Sequence, residues 1–279
     1  MERNILIYLT ILTVIECSKN LGKICDLVTD DLLKQCYLRE TLVSLSHSPN
    51  QLAVNKLTNT VYFSYDSGQG EYIPAAVQID TKKVTILKGV KDAFAVTNDP
   101  INNEMYFGGS NGIYKYNPAL QSLKRLTLKN LDIWWLFFKR LIYFIRFPSL
   151  NVYYYHNRSV KPLIPLKNVT VNQFVLDNDE NIFFINGTGL YGIKNGKSDI
   201  ILLRDNPRFL GMAANNKGHV YLCSENEIFV ISKMIQKVKK IVNIQGVLGM
   251  TFDKDNNMIY SDSHEIVRLL PISKSFSKF

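Results

Sequence analysis

The chain is poor in the residues that build metal and nucleophile sites. It has four cysteines, four histidines and two tryptophans in 279 residues. No CxxC pair occurs, which argues against zinc. His47, His156, His219 and His264 fall far apart, without metal-ligand spacing. There is no GxSxG elbow, HExxH helix, phosphate-cradling glycine loop or dinucleotide fingerprint, so no catalytic residue is assigned and no cofactor is expected. Two segments imitate a calcium loop, FDKDNNMIYSDSHE from Phe252 and DNDENIFFINGT from Asp177. Such a loop needs glycine at its sixth position and glutamate at its twelfth. Met258 and His264 stand there in the first, Ile182 and Thr188 in the second, so both read as turns and no metal is expected.

Long apolar runs are also missing. The N-terminal MERNILIYLTILTVIECSKN carries Arg3 and then eleven mostly apolar residues, Ile5 to Ile15, too few to cross a bilayer, which takes about 20. This is the outline of a secretory signal peptide over 1–18. The stretch IWWLFFKRLIYFIRF at 133–147 is split by Lys139 and Arg140 and reads as two short strands around a turn, so no membrane partner is expected. After cleavage three cysteines remain: Cys25, Cys36 and Cys223. Cys25 with Cys36 is the nearest pairing, and the odd count leaves one thiol over. Sequons at Asn157, Asn168 and Asn186 fit a glycosylated, extracellular surface.

The formal net charge is +9, which favours acidic ligands or anionic surfaces. The 33 Lys and Arg are dispersed rather than clustered, and no nucleic-acid motif accompanies them. The reading is a solvated basic surface on a monomer.

What the chain has is aromatic residues and a repeat. It carries 15 Tyr and 15 Phe, side chains that suit a pleated, half-buried surface. A pair of aromatic or apolar residues recurs at Tyr62–Phe63, Tyr106–Phe107, Tyr143–Phe144, Phe183–Phe184, Val220–Tyr221 and Ile259–Tyr260, in steps of 37 to 44 residues. Before each pair comes an apolar strand, mostly followed by a turn rich in Asn and Asp, such as NDPINNE, DNDEN or DKDNN. After it come a second turn, a third strand and a basic-apolar strand. Four short strands every 40 residues or so are the mark of a β-propeller blade. The expected fold is all-β, a single six-bladed propeller over 19–279. Its blades fall near 50–90, 91–130, 131–169, 170–206, 207–244 and 245–275. The last blade lacks an outer strand, and YLRETLVSL at 37–45 is placed to supply it and close the ring.

In such a ring the links between blades and the loops after second strands share one face. That face is expected to hold Phe94, Asp132, Trp134, Phe174, Arg208, Phe209, Arg146 and Tyr65. Aromatic walls with a few polar groups suit a small planar ligand, and arginines suit its carboxylates. First strands also form the hub, so Trp134, Phe174 and Phe209 serve equally well as packing residues. Asp92, Asp132 and Asn172 occupy similar places in successive blades, which keeps open a calcium-dependent lactonase or esterase.

CDLV at 25, QLAVNKLTNTVYFSY at 51, GGSNGIYKY at 108, DIWWL at 132, FFINGTGLY at 183, FDKDNNMIYSD at 252 and VRLLP at 267 together resemble the ommochrome-binding proteins of moth and butterfly haemolymph. The resemblance implies a secreted, non-enzymatic protein of the haemolymph. Its implied partner is an ommochrome pigment such as xanthommatin, a planar tryptophan-derived chromophore bearing amino-acid groups.

Overall fold

The computed structural model describes residues 23–25, 36–90, 92–126, 131–205, 208–232 and 237–272. The expected signal peptide lies outside the described residues. The chain enters through β1 (Lys23–Cys25) and β2 (Cys36–Ser44). Blade 1 holds β3 (Pro49–Asn55), β4 (Thr60–Asp66), β5 (Tyr72–Gln78) and β6 (Val84–Ile86), and blade 2 holds β7 (Ala93–Asp99), β8 (Glu104–Gly109), β9 (Gly112–Asn117) and β10 (Ser122–Arg125). Blade 3 comprises β11 (Ile133–Lys139), β12 (Leu141–Arg146), β13 (Asn151–His156) and β14 (Ser159–Pro162); blade 4 comprises β15 (Gln173–Leu176), β16 (Ile182–Asn186), β17 (Gly189–Ile193) and β18 (Ile201–Asp205). Blade 5 contains β19 (Phe209–Ala214), β20 (Val220–Ser224), β21 (Glu227–Ser232) and β22 (Lys237–Asn243). Blade 6 contains β23 (Gly249–Phe252), β24 (Met258–Ser261) and β25 (Glu265–Pro271).

Within each blade consecutive strands pair antiparallel, giving the six-bladed propeller read from the repeat. The ring closes as expected: β2 pairs with β25 from Tyr37↔Pro271 to Ser44↔Glu265. β1 then adds a fifth strand that the repeat does not announce, with Cys25 opposite Cys36. Cys36 is disulfide-bonded.

The aromatic pair exists because neighbours on a strand point to opposite faces of the sheet. Tyr62 packs toward blade 2, among Ala93, Met105 and Phe107, while Phe63 packs toward blade 6, among Ile259 and Ile266. One pair therefore fills both flanks of its blade, and burying each large side chain stabilises the ring by about 1.5–3 kcal/mol. In blade 5 the sequence pairing is one residue early. Tyr221 lies opposite Ala213 as Tyr62 lies opposite Ala53, so the equivalent pair is Tyr221–Leu222 rather than Val220–Tyr221. The run VYLC is apolar throughout and does not mark its own phase, which the pairing with β19 sets.

Candidate functional site

Two faces have different chemistry. The turns from first to second strands lie on one, here the turn face; the links and second-to-third-strand loops lie on the other, the link face. On the turn face, Asp253 is fully buried. Its Oδ1 accepts the Asp255 and Asn257 N–H groups at 2.9 and 2.7 Å, its Oδ2 accepts Asn257 Nδ2 at 2.9 Å, and Arg268 lies 3.6 Å away. Asp177 does the same for Asp179 and Asn181, and Asp99 for Ile101 and Asn102. The leading carboxylates of DKDNN and DNDEN, Asp253 and Asp177, are thus engaged within their hairpin turns, as Asx residues favour. Among the described residues, no group of three or more His, Cys, Asp or Glu is placed to hold a metal.

On the link face the first strands are bulged. Register slips occur between Pro49 and Leu52, Ala93 and Ala95, Ile133 and Trp135, and Phe209 and Gly211. A bulge leaves one residue unpaired and re-aims its side chain. In blades 2 and 3 that residue is Phe94 and Trp134, and the two rings stack at 4.6 Å between centroids and 21°. Tyr72 meets Phe94 edge-on at 4.9 Å, and Phe147 stacks on the far side of Trp134 at 6.0 Å. Four rings thus form a ladder across three blades, ending at Phe147, which is 48% exposed.

The ladder is held from below. Ser64 donates to the Phe94 carbonyl at 3.1 Å, Trp134 Nε1 donates to the Asn172 carbonyl at 3.0 Å, and the Phe147 N–H donates to the Asp132 carbonyl at 3.0 Å. Gln51 reaches past blade 2 to blade 3: its Nε2 donates to the Leu136 carbonyl at 2.6 Å, and its Oε1 accepts the Val96 and Leu136 N–H groups at 3.2 and 3.3 Å. Gln173 makes the corresponding bonds to the Leu210 carbonyl and Met212 N–H. Asp132 and Asp92 sit two residues before the stacked rings. Partial burial and the neighbouring Asp92 carboxylate push the Asp132 pKa up.

The other candidates separate. Phe174 is fully buried and packs against Phe137 and Tyr143. It pairs with Phe184 as Leu136 pairs with Phe144, a core position rather than a bulge, so its ring is a packing group. Phe209 matches Ala93 and Ile133 in register and packs edge-on against Phe229 at 5.7 Å. The bulged residue of blade 5 is Leu210. Arg208 is exposed and lines a polar groove with Glu225, Asn226 and Gln245 that contains no ladder residue. Arg146 lies over the Tyr153 ring at 5.5 Å, with a buried Nε that has no hydrogen-bond partner. Tyr65 packs beside Phe63 at 6.2 Å. Asn157 and Asn168 are exposed, whereas Asn186 is half-buried and accepts the Thr188 and Gly189 N–H groups. Tyr72, Phe147 and Gln51 complete the ladder and its support without having stood among the expected ligand contacts. They lie outside the repeated pair, so periodicity gives no signal for them.

No family model matches the chain. A relative does: the ommochrome-binding protein of Manduca sexta is 27% identical over 245 residues, spanning 85% of this chain and 89% of the relative. The chain is a homologue of that ommochrome-binding protein. The resemblance carried by the quoted motifs is therefore borne out across the propeller. Solved structures of the same fold include a gluconolactonase of Xanthomonas campestris, with a TM-score of 0.72 and 13% identity over 90% of this chain and 95% of that one. A luciferin-regenerating enzyme superposes at 0.66, with 12% identity over 84% and 95%. These low identities establish the fold alone.

Proposed function

We propose that this protein is a secreted, non-enzymatic carrier of a small planar pigment of the ommochrome class, acting as a monomer in the haemolymph. The observation that carries the reading is the ladder Tyr72–Phe94–Trp134–Phe147 on the link face, in a homologue of a protein named for ommochrome binding. A fused-ring chromophore extends an existing offset stack, and aromatic pairs of this kind are worth about 0.5–1.5 kcal/mol beyond their buried area. Phe147 offers the exposed ring, Trp134 the large one. Asp92 and Asp132, two residues before the stacked rings, suit the ammonium of a pigment's amino-acid group, and Arg146, directly before Phe147 and with an unpartnered Nε, suits its carboxylate. Arg208 belongs to the blade 5 groove and has no part in this reading.

Trp135 provides an internal control. Its Nε1 donates to the Phe174 carbonyl in the core, outside the ladder, so Trp135→Phe leaves Trp134 as the one emitter and is expected to keep pigment affinity. Titration with xanthommatin is expected to quench the protein saturably, and Trp134→Phe to lose most of the quench and at least tenfold in affinity. Equal quenching and affinity in that variant would sink the ladder as the site.

The Asp92–Asp132 proximity favours one rival, calcium-dependent lactone or ester hydrolysis with Asn172 as a further ligand. Stoichiometric calcium, and turnover that chelator abolishes and Asp132→Asn removes, would establish it in place of the carrier.

A further inference from the structure

The six first strands, β3, β7, β11, β15, β19 and β23, each stand at the edge of their sheet. Their free edges face the propeller axis, so unpaired backbone N–H and C=O groups line a central channel. A cavity of about 200 Å³ occupies its turn-face half. Val54, Val96, Phe138, Met212 and Met250 are among its walls, and Lys56 and Asn98 stand where the first strands run out into their turns. At the other end lies Gln51, whose side chain bridges blades 1 and 3 across part of the channel. The result is a well that Gln51 narrows at its link end and that opens on the face opposite the aromatic ladder.

Lys56 is unusually situated. Its ammonium bonds the neutral side-chain oxygen of Asn216, from blade 5. The carboxylate that acts on it, Asp253, is already engaged by its own turn and by Arg268. Desolvation by the surrounding protein lowers the Lys56 pKa. Among the described residues, then, a cation at the mouth of a well walled by apolar side chains and backbone polar groups has no paired anion. Lys56 is exposed to solvent at the mouth, yet partial desolvation of an ammonium without a paired carboxylate is unfavourable, and an anion at the mouth relieves it.

We propose that the well is a second small-molecule site, independent of the link face, for a small aromatic or branched-chain monocarboxylate. The apolar body fills the well, the carboxylate meets Lys56 at the mouth, and the strand edges offer further hydrogen bonds. The volume suits one ring or a short branched chain. Multi-ring ligands need pockets of about 300 Å³ or more, which separates this occupant from a pigment.

The test uses benzoate as probe and benzamide as its neutral counterpart, with the full chain, read by ligand-observed NMR and calorimetry. Benzoate is expected to bind at least tenfold more tightly than benzamide, and Lys56→Gln to abolish that preference. Ala214→Met, which places bulk at the well wall, is expected to weaken both probes, while Trp134→Phe leaves both unchanged. Melting curves of each variant confirm that the fold is intact; Lys56 is exposed, so its replacement leaves the core untouched. The proposal is overturned by absence of benzoate binding at millimolar concentration, by equal binding of the two probes, or by a preference that survives Lys56→Gln. Loss of benzoate in Trp134→Phe would also overturn it, by placing the probe on the ladder.

Discussion

Asp253 is the residue on which the calcium-loop resemblance turned, and its role predicts what its loss does. Asp253→Ala removes an acceptor that its own turn uses three times and one partner of Arg268. Unmade bonds of buried groups cost about 1–3 kcal/mol, so a loss of about 2–4 kcal/mol is expected in denaturant melts, with the same loss in calcium and in chelator. Asn256→Ala, at the half-buried, positive-φ position of the same turn, also removes the acceptor of the Asn216 N–H from blade 5, and is expected to cost about 1–2 kcal/mol, less than Asp253→Ala. Cys223 gives a pH prediction. Burial pushes its thiol up to about 12 from an ordinary value of 9.0. A raised native pKa means that the folded state holds the proton where the unfolded chain releases it. Stability is therefore full below about pH 9 and falls as pH rises toward 12. Cys223→Ala, compared with wild type across that window, is expected to flatten the fall, and native Cys223 to resist alkylation at pH 8 until the chain unfolds. These residues were legible from sequence to different degrees. The Asx turns announce themselves through local chemistry, whereas the extra thiol shows its burial only when β19 and β20 are in place.

At the scale of the element, the bulges decide what the sequence pattern could and could not reveal. The 40-residue period was readable because each second strand feeds two interfaces, and Tyr62–Phe63 or Tyr106–Phe107 keep that order in every packing. A bulge shifts a first strand by one residue without changing its composition. Phe94, Trp134, Phe174 and Phe209 therefore look equivalent in sequence, yet the first two project as unpaired residues and the last two lie at paired positions. Gln51 makes the same point from the other side: a polar residue at the head of an apolar strand is ordinary until its amide is seen to satisfy backbone groups of blades 2 and 3. Gln51→Leu keeps the volume and removes those bonds. It is expected to cost about 1–3 kcal/mol and to loosen the stack above it, read as a red-shifted, more mobile Trp134 emission in the Trp135→Phe background.

For the whole molecule, ligand linkage offers the broadest check. A pigment present at 100 times its dissociation constant stabilises the folded ring by about 2.7 kcal/mol, and for a domain of this size 1 kcal/mol moves the melting temperature by about 2–4 °C. A rise of several degrees with pigment, absent in Trp134→Phe, is expected by calorimetry. Ring closure has a different consequence. The sheet that seals the propeller joins β2, near the beginning of the chain, to β25, near its end. A ribosome adding about 5–20 residues each second needs on the order of 10–40 seconds to pass from one to the other. Throughout that interval β2 has β1 along one edge but no strand to meet the other, and five blades accumulate around an open gap. Completion of this fold is thus scheduled by the last strand made, and whatever shields β2 during the wait governs the yield of finished rings.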